Sequence, residues 1–562
     1  MSVPKAFARA PARPSAVSLA PWIAGAIALS FALQVWLALA RQINWDEFWF
    51  LARIYQYRSG TLTAVLQTVY VHAFTWLAYV SDNAIGRIVA GRALMLGFEA
   101  GTFVLIYNVS RRFAAREAAL LGLFAYATLS DVLVHGAAFR ADAIATFFLM
   151  AGVAAFLAPR LTWKSAIVGA LAVAIAGLVT IKAVFYLPLI AAIVAWRFAV
   201  SGDRRAFALK LGAGIAISSL FFVAVYAMHR ASLAPAHAGM AAAATGDAAT
   251  AFAPGAFART WPYMSAAIIA NPAAFAAIAL GLKQCVSDAA RAKAQPLMLL
   301  GFAFPLATLF FYRNSFPYYY PFALAPAAVL AALAFEAMRN SLERAAWALA
   351  CGVFMIVQFT HALAAGQDAQ RATLGAVRAM FPHPVSYIDR CGMVSDYPHA
   401  GFFMSSWGIE AYRAAGAPVL RDAIFGKHAP LFVIANTPVL EDAFMPGSAD
   451  VGDAYRLLPQ DARALRENYV HQWGAIWVAG KDLGQLGLAR TVLIAIPGTY
   501  TLESSAPVLI DNVRYRPSGV VALARGRHEI ASAGQAQHVI LRFGDHLFRP
   551  ASPPPGEIFD GF

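Results

Sequence analysis

Long apolar runs follow one another through the first two thirds of this sequence. Eleven can be counted, beginning near Pro21, Ile88, Glu117, Ala143, Ser165, Ala183, Leu211, Pro262, Pro296, Tyr319 and Ala346. A helix that crosses a bilayer needs about 20 mostly apolar residues, and these runs are of that order. The chain is 60% hydrophobic and only 13% charged, whereas ordinary soluble chains carry about 25% charge. A larger core cannot account for the deficit, because cores divide into domains of roughly 50 to 200 residues with polar surfaces between them. The expected fold class is a polytopic α-helical membrane protein with about eleven transmembrane helices, one for each apolar run.

The net charge of +14 does not point to nucleic acid. The charges sit in short loops between apolar runs, and no basic stripe carries interleaved aromatics. Such loops orient spans through their Lys and Arg content. With the N-terminus inside, the inner side gathers Lys5, Arg9, Arg13, Arg111, Arg112, Arg116, Arg160, Lys164, Arg197, Arg204, Arg205, Lys210, Lys283, Arg291, Lys293, Arg339 and Arg344. The outer loops hold fewer cations, among them Arg53, Arg140, Lys182 and Arg313. An odd number of spans then puts the C-terminus outside, as in a bacterial-type inner membrane protein with an extracytoplasmic domain. Thr61 to Val80 is also apolar, but counting it as a span would invert the charge pattern downstream, so an interfacial helix is expected there. Lys5, Arg9 and Arg13 precede a stretch ending Ala38-Leu39-Ala40, which has the form of a secretory signal. The stretch is long for a signal, and an uncleaved first helix is expected.

After about residue 366 the uninterrupted apolar runs cease. Residues 1–20 read as a cytoplasmic tail, 21–365 as the transmembrane domain, 366–485 as an α/β domain and 486–562 as a β-sandwich. The α/β reading rests on strand-like runs at Val385–Ile388, Pro430–Ala435 and Ala475–Ala479 beside a helical pattern at Asp461–Tyr469. The sandwich rests on Thr491–Ile496, Thr499–Leu502, Pro507–Ile510, Gly519–Leu523, His528–Ile530 and His538–Phe543, punctuated by turn residues. An Ala-rich stretch, Ala234 to Ala253, is the one low-complexity segment. Cys285, Cys351 and Cys391 fall in three different compartments, which excludes an intrachain disulfide, and they match no zinc or redox spacing.

Ionisable groups at the membrane are costly and are functional candidates for that reason. Asp46 and Glu47 lie side by side in the aromatic stretch Asn44-Trp45-Asp46-Glu47-Phe48-Trp49 just beyond the first helix. As a purely structural feature, this would be an N-capped interfacial helix with belt tryptophans. Arg140-Ala141-Asp142 opens the fourth helix, Lys182 stands alone in a tight turn, and Arg313 precedes Tyr318-Tyr319-Tyr320-Pro321. All four features project to the same membrane surface.

In their order and placement these residues resemble the GT-C glycosyltransferases of the family 39 type, which include protein O-mannosyltransferases and lipid A aminoarabinose transferases. The resemblance covers roughly residues 20 to 340. Its parts are the acidic pair Asp46-Glu47 in the first outer loop, Arg87 or Arg92 at the opening of the next helix, Arg140-Ala141-Asp142, Lys182 in an outer turn, and Arg313 before Tyr319-Tyr320-Pro321. A Lys-Pro-Pro-like stretch usual before the second helix is absent, and Leu66 to Phe74 stands in its place.

The resemblance implies transfer of a sugar, with inversion, from a polyprenyl-phosphate donor to an extracytoplasmic glycan, lipid or protein acceptor. Asp46 is then the base, with Glu47 and Asp142 beside it. Lys182, Arg313, Arg140 and Arg53 would bind the donor phosphate, and Trp45, Phe48, Tyr319 and Tyr320 would line the substrate path. A divalent metal ion suits the carboxylate oxygens, although no cluster compels it. Membrane lipids are the remaining partner, and nucleic acid is not one. Two alternatives belong to other classes: a transporter or flippase of a lipid-linked or polar substrate, and a non-catalytic glycan-binding membrane protein. A transporter usually places its charges mid-span on helices related by an internal repeat, and no repeat is visible here.

Overall fold

The computed structural model describes residues 18–235, 256–287 and 295–559. The cytoplasmic tail expected at 1–20 lies outside them up to residue 17, as do Lys5, Arg9, Arg13, Arg291, Lys293 and most of the Ala-rich stretch.

A helical membrane domain comes first. Among the described residues, five helices are long and apolar enough to cross a membrane: Ala20–Ala40, Ala84–Ser110, Ile181–Ala199, Arg204–Ala231 and Ser341–Leu363. Two further spans are bent pairs, Phe257–Ala270 with Pro272–Gln284 at 99° and Pro317–Leu324 with Ala327–Ala337 at 56°. Pro272 and Pro326 sit at the two breaks, where proline removes a backbone donor and clashes with the preceding turn. The other four expected spans are shorter in the structure. Arg116–Ala127, Ala141–Phe156 and Trp163–Val179 are single helices of 12, 16 and 17 residues, and the run from Pro296 begins with the six-residue helix Pro296–Gly301. Helices Arg204–Ala231 and Ser341–Leu363 turn most of their apolar surface outward, with Leu220, Val223 and Leu349 exposed, as a lipid-facing helix does. The five residues Tyr320, Phe322, Leu324, Val329 and Leu330 of the second bent pair are buried at the centre of the bundle.

Thr61 to Val80 is neither a span nor one interfacial helix. It is mostly irregular, with one turn of helix at Val71–Phe74 and a 3₁₀ turn at Thr75–Tyr79. Gln67 takes a left-handed φ of 59°, Thr68 Oγ1 donates back to the carbonyl of Ala64 at 2.6 Å, and the Tyr70 ring stacks on Phe50. The segment therefore packs onto the helix Trp45–Arg58, and local side-chain bonds compete with a regular helix.

The strands of the C-terminal region are β1 (Tyr387–Ile388), β2 (Phe432–Ile434), β3 (Tyr469–Trp473), β4 (Ile476–Leu486), β5 (Arg490–Ile494), β6 (Gly498–Glu503), β7 (Val508–Ile510), β8 (Val513–Tyr515), β9 (Val520–Leu523), β10 (Gly526–Ser532) and β11 (Gln537–Phe543). All nine strand-like runs read from the sequence fall on strands, while β3 and β8 add two. One sheet runs β1-β2-β4-β11-β6-β9, with β3 on β4; the second runs β5-β10-β7-β8. Leu486, Ile494, Leu502, Ile510, Leu523 and Leu541 from both sheets share one core, as in a sandwich. The expected boundary at 485/486 falls at the end of β4. That strand pairs with β2 on one side of the boundary and with β11 up to it, so one sheet joins the two layers.

The C-terminal region is fastened to the membrane domain. Gln370 donates to the carbonyl of Ile43 at 2.7 Å and accepts from its N–H at 2.9 Å. Gln367 donates to the carbonyls of Leu39 and Arg41. A shared core links Ile43, Phe48 and Leu51 to Leu374, Tyr387 and Phe432.

Candidate active site

Helix Trp45–Arg58 begins immediately after the first span. Asn44 caps it, its side chain accepting from Asp46 N at 3.0 Å, while Glu47 accepts from Asn44 N at 3.0 Å. This reciprocal capping box fixes the directions of the two adjacent carboxylates.

They meet different surroundings. Glu47 is fully buried. Arg92, from the span Ala84–Ser110, donates Nε to its Oε2 at 2.8 Å and Nη2 to its Oε1 at 2.6 Å. The N–H of Phe139 donates to Oε2 at 2.8 Å. Two oxygens offer about four acceptor sites, and all are filled. Burial alone would raise the Glu47 carboxyl, but the charge and hydrogen bonds of Arg92, with the two N–H donors, outweigh it and hold the group below the usual carboxylate range. Arg92 spends its remaining donors on the carbonyls of Ala38, Arg41 and Gln42. Glu47 and Arg92 together are thus a clamp joining four chain segments.

Asp46 accepts through Oδ2 from Arg140 Nη1, and among the described residues its Oδ1 accepts no hydrogen bond. Arg140, the residue before helix Ala141–Phe156, also reaches Asp142 Oδ2 through Nε at 3.3 Å. Asp142 Oδ1 accepts from Lys182 Nζ. Thr180 Oγ1 accepts from Lys182 N at 3.4 Å and so fixes the turn that presents Lys182. The result is an alternating chain, Asp46–Arg140–Asp142–Lys182, each side chain at most about a tenth exposed. The ring of Tyr318 lies 3.6 Å from the Arg140 guanidinium and 5.3 Å from Lys182 Nζ, a cation–π arrangement that covers one side of both cations.

Four of the residues singled out from the sequence, Asp46, Arg140, Asp142 and Lys182, are therefore in direct contact, and Glu47 is adjacent. Most of the others sit elsewhere. Arg313 pairs with Glu410 of the C-terminal region, which also accepts from Arg259 at 3.0 Å. Arg53 lies over the Trp49 ring at 4.1 Å and donates to Gln56. Trp45 is covered by the Arg390 guanidinium at 3.7 Å, and both Trp45 and Phe48 meet the edge of Phe559. Tyr319 and Tyr320 are fully buried in the bundle, Tyr319 with its hydroxyl 2.5 Å from Thr308. The Tyr319 ring also lies 5.5 Å from Lys182 Nζ, while Tyr318, one residue earlier, faces both Arg140 and Lys182. Arg92, Tyr318, Glu410 and Arg390 were not assigned these contacts from sequence. Of these, Arg92 had a signal, since a guanidinium within an apolar span demands a partner.

As arranged, the residues do not form a metal-binding set. Asp46 and Asp142 bracket a guanidinium, Glu47 has no acceptor to spare, and among the described residues no group of three or more His, Cys, Asp or Glu side chains converges.

No protein-family model matches the chain, and no curated protein matches it. Solved structures resemble it at low identity. ArnT from Cupriavidus metallidurans bound to undecaprenyl phosphate is 12% identical, with 68% of this chain and 86% of that chain covered and a TM-score of 0.48. The Archaeoglobus fulgidus oligosaccharyltransferase in complex with Zn and sulfate is 10% identical over 93% and 98%, with a TM-score of 0.49. The arabinofuranosyltransferase AftD from mycobacteria is 12% identical over 97% and 61%, with a TM-score of 0.43.

Proposed function

We propose that this chain is a membrane glycosyltransferase that moves a sugar from a polyprenyl-phosphate carrier to an acceptor hydroxyl on the outer face of a bacterial-type inner membrane. The observation that carries this reading is the buried chain Asp46–Arg140–Asp142–Lys182, assembled from three separate segments where the membrane domain meets the outer region. A phosphate leaving group needs fixed cations where charge develops, and an attacking hydroxyl needs a base within hydrogen-bond reach. The cluster supplies both.

In this mechanism Asp46 Oδ1 takes the proton of the acceptor hydroxyl. The acceptor oxygen forms its bond to the anomeric carbon as the bond from that carbon to the phosphate oxygen breaks. The electron pair leaves with the phosphate, which Arg140 and Lys182 receive, and attack from the opposite face inverts the centre. Asp142 is a positioning residue that holds both cations in place before the donor arrives. Glu47, with its acceptors filled by Arg92, Asn44 and Phe139, takes no proton and fixes the start of the helix carrying Asp46.

The test is transfer of labelled sugar by the purified protein in lipid, from a panel of polyprenyl-phosphate sugars. Transfer from one member, inhibited competitively by free polyprenyl phosphate, is the expected result. No transfer from any member would contradict the proposal.

A further inference from the structure

A second group of charges lies at the far end of the helix that carries Asp46. Tyr55 follows Asp46 by nine positions, which at 1.5 Å per residue is about 13.5 Å along the axis. Around its ring stand Arg87 at 5.3 Å and Arg58 at 5.8 Å. Arg87 Nη1 is 3.5 Å from Asp396 Oδ2, and Arg378 Nη2 donates to both oxygens of the same carboxylate at 2.7 and 2.5 Å. Burial pushes the Tyr55 hydroxyl up, Arg87, Arg58 and Arg378 pull it back, and Asp396 opposes them. Two guanidinium groups, those of Arg87 and Arg378, thus share one carboxylate, and a third, that of Arg58, stands at the same Tyr55 ring. The Arg87 side chain is only 8% exposed, and its Nε and Nη1 make no hydrogen bond, an arrangement that disfavours burial unless an anion completes it.

The surroundings fit a saccharide better than a lipid headgroup. Two of the four charged side chains, Arg378 and Asp396, come from the outer region, so the cluster lies between the two domains. The Arg58 guanidinium lies over the exposed ring of Tyr79 at 4.5 Å and donates to its hydroxyl at 3.1 Å, while the Arg378 guanidinium lies 4.9 Å from the Tyr397 ring. Planar guanidinium groups receive carboxylates in pairs of hydrogen bonds, and tyrosines offer an apolar face with a polar tip.

We propose that the cluster around Tyr55 is an anion subsite for a carboxylate of an acidic oligosaccharide, the acceptor whose reacting hydroxyl lies at Asp46. The acceptor role rests on the transferase reading above; the binding does not. One rigid helix sets the axial separation of the two ends, and the two and a half turns between Asp46 and Tyr55 put them on opposite faces of it, so the subsite selects an acceptor long enough to pass around the helix, with its negative charge at least a sugar residue away from its accepting hydroxyl.

The test uses the full-length protein in zwitterionic lipid nanodiscs, without donor. A tetrasaccharide containing uronic acid is titrated by calorimetry against its carboxyl-reduced neutral counterpart. The acidic form is expected to bind at least about tenfold more tightly, the factor one charge-assisted hydrogen bond supplies, and increasingly weakly as salt is raised. Arg58→Gln, at an exposed position, and Arg378→Gln are each expected to weaken it about tenfold while the unfolding temperature of Arg58→Gln stays that of the parent. Equal binding of the two saccharides, or unchanged binding in both variants, overturns the proposal. So does loss of saccharide binding when anionic phospholipid replaces part of the nanodisc lipid, which would give the cluster to a headgroup. Binding without transfer from any polyprenyl-phosphate donor would keep the subsite and remove the transferase reading; transfer without binding would do the reverse.

Discussion

The guanidinium of Arg92 holds the carboxylate of Glu47 through two parallel hydrogen bonds, at 2.8 and 2.6 Å, inside a region closed to solvent. Removing one partner of a buried pair leaves the other charge uncompensated, at a cost of about 3–5 kcal/mol. Glu47→Gln and Arg92→Leu are therefore expected to lower the unfolding temperature and the yield of folded protein sharply. The double variant should lose less than the sum of the two single ones, as thermal scans of the purified proteins would show.

Lys182 is the terminal cation of the cluster, and among the described residues its ammonium group donates to Asp142 alone. Lys182→Gln is expected to fold, since a neutral amide can still donate to Asp142, yet to lower the transfer rate about a hundred- to a thousandfold, as losing one donor at a developing charge does. Free polyprenyl phosphate should also inhibit this variant less well than the parent. A variant with the parent rate and the parent inhibition constant would remove Lys182 from the phosphate site.

Phe559 closes the C-terminal region over the start of the helix carrying Asp46, its ring meeting Trp45 at 5.8 Å and Phe48 at 6.0 Å. Phe559→Ala exposes part of both rings and is expected to cost ~2–3 kcal/mol, somewhat less than a fully buried phenylalanine. Denaturant unfolding followed by tryptophan fluorescence measures it.

Lys481 lies in β4 and donates to Asn468 Oδ1 at 2.9 Å. Burial pushes its ammonium down to about 8, with Glu467 opposing. A folded pKa below the unfolded value of about 10.4 means that the unfolded chain keeps its proton longer, so stability rises with pH between the two values. Unfolding temperature is expected to gain from pH 8 to pH 10 relative to Lys481→Met, which lacks this proton. Parallel profiles for the two proteins would contradict the assignment.

The charged cluster was legible in the sequence because isolated charges stand out in apolar surroundings. Asp46, Arg140, Asp142 and Lys182 are each the conspicuous ionisable group where a span begins or ends. The partner of Arg313 was not legible. Glu410 is 97 residues away in a region with its own fold, and no local pattern encodes that meeting. Tyr319, named from the sequence, does lie 5.5 Å from Lys182 Nζ, but Tyr318 was not legible, because it is the 3₁₀ turn opened by Pro317 before the helix at Tyr320 that sets it against Arg140. The strand runs were legible from their alternation and turn residues, whereas β3 follows directly on the helix Pro459–Asn468 with no turn residue to separate them, and the helical pattern at Asp461–Tyr469 takes in only its first residue. Spans interrupted by bends or ending early, such as the helix that stops at Ala127, count as continuous apolar runs in a sequence because hydropathy does not register a change of direction.

The central claim is that Asp46, with one oxygen held by Arg140 and the other accepting no hydrogen bond among the described residues, is the base of a sugar transfer. The most direct measurement compares the parent with Asp46→Asn in transfer of labelled sugar from polyprenyl-phosphate donors, both proteins reconstituted in lipid and shown by thermal unfolding to be folded. A rate reduced about a hundred- to ten-thousandfold in Asp46→Asn, with donor binding retained, is the expected result. A folded Asp46→Asn that transfers sugar at the parent rate would contradict it.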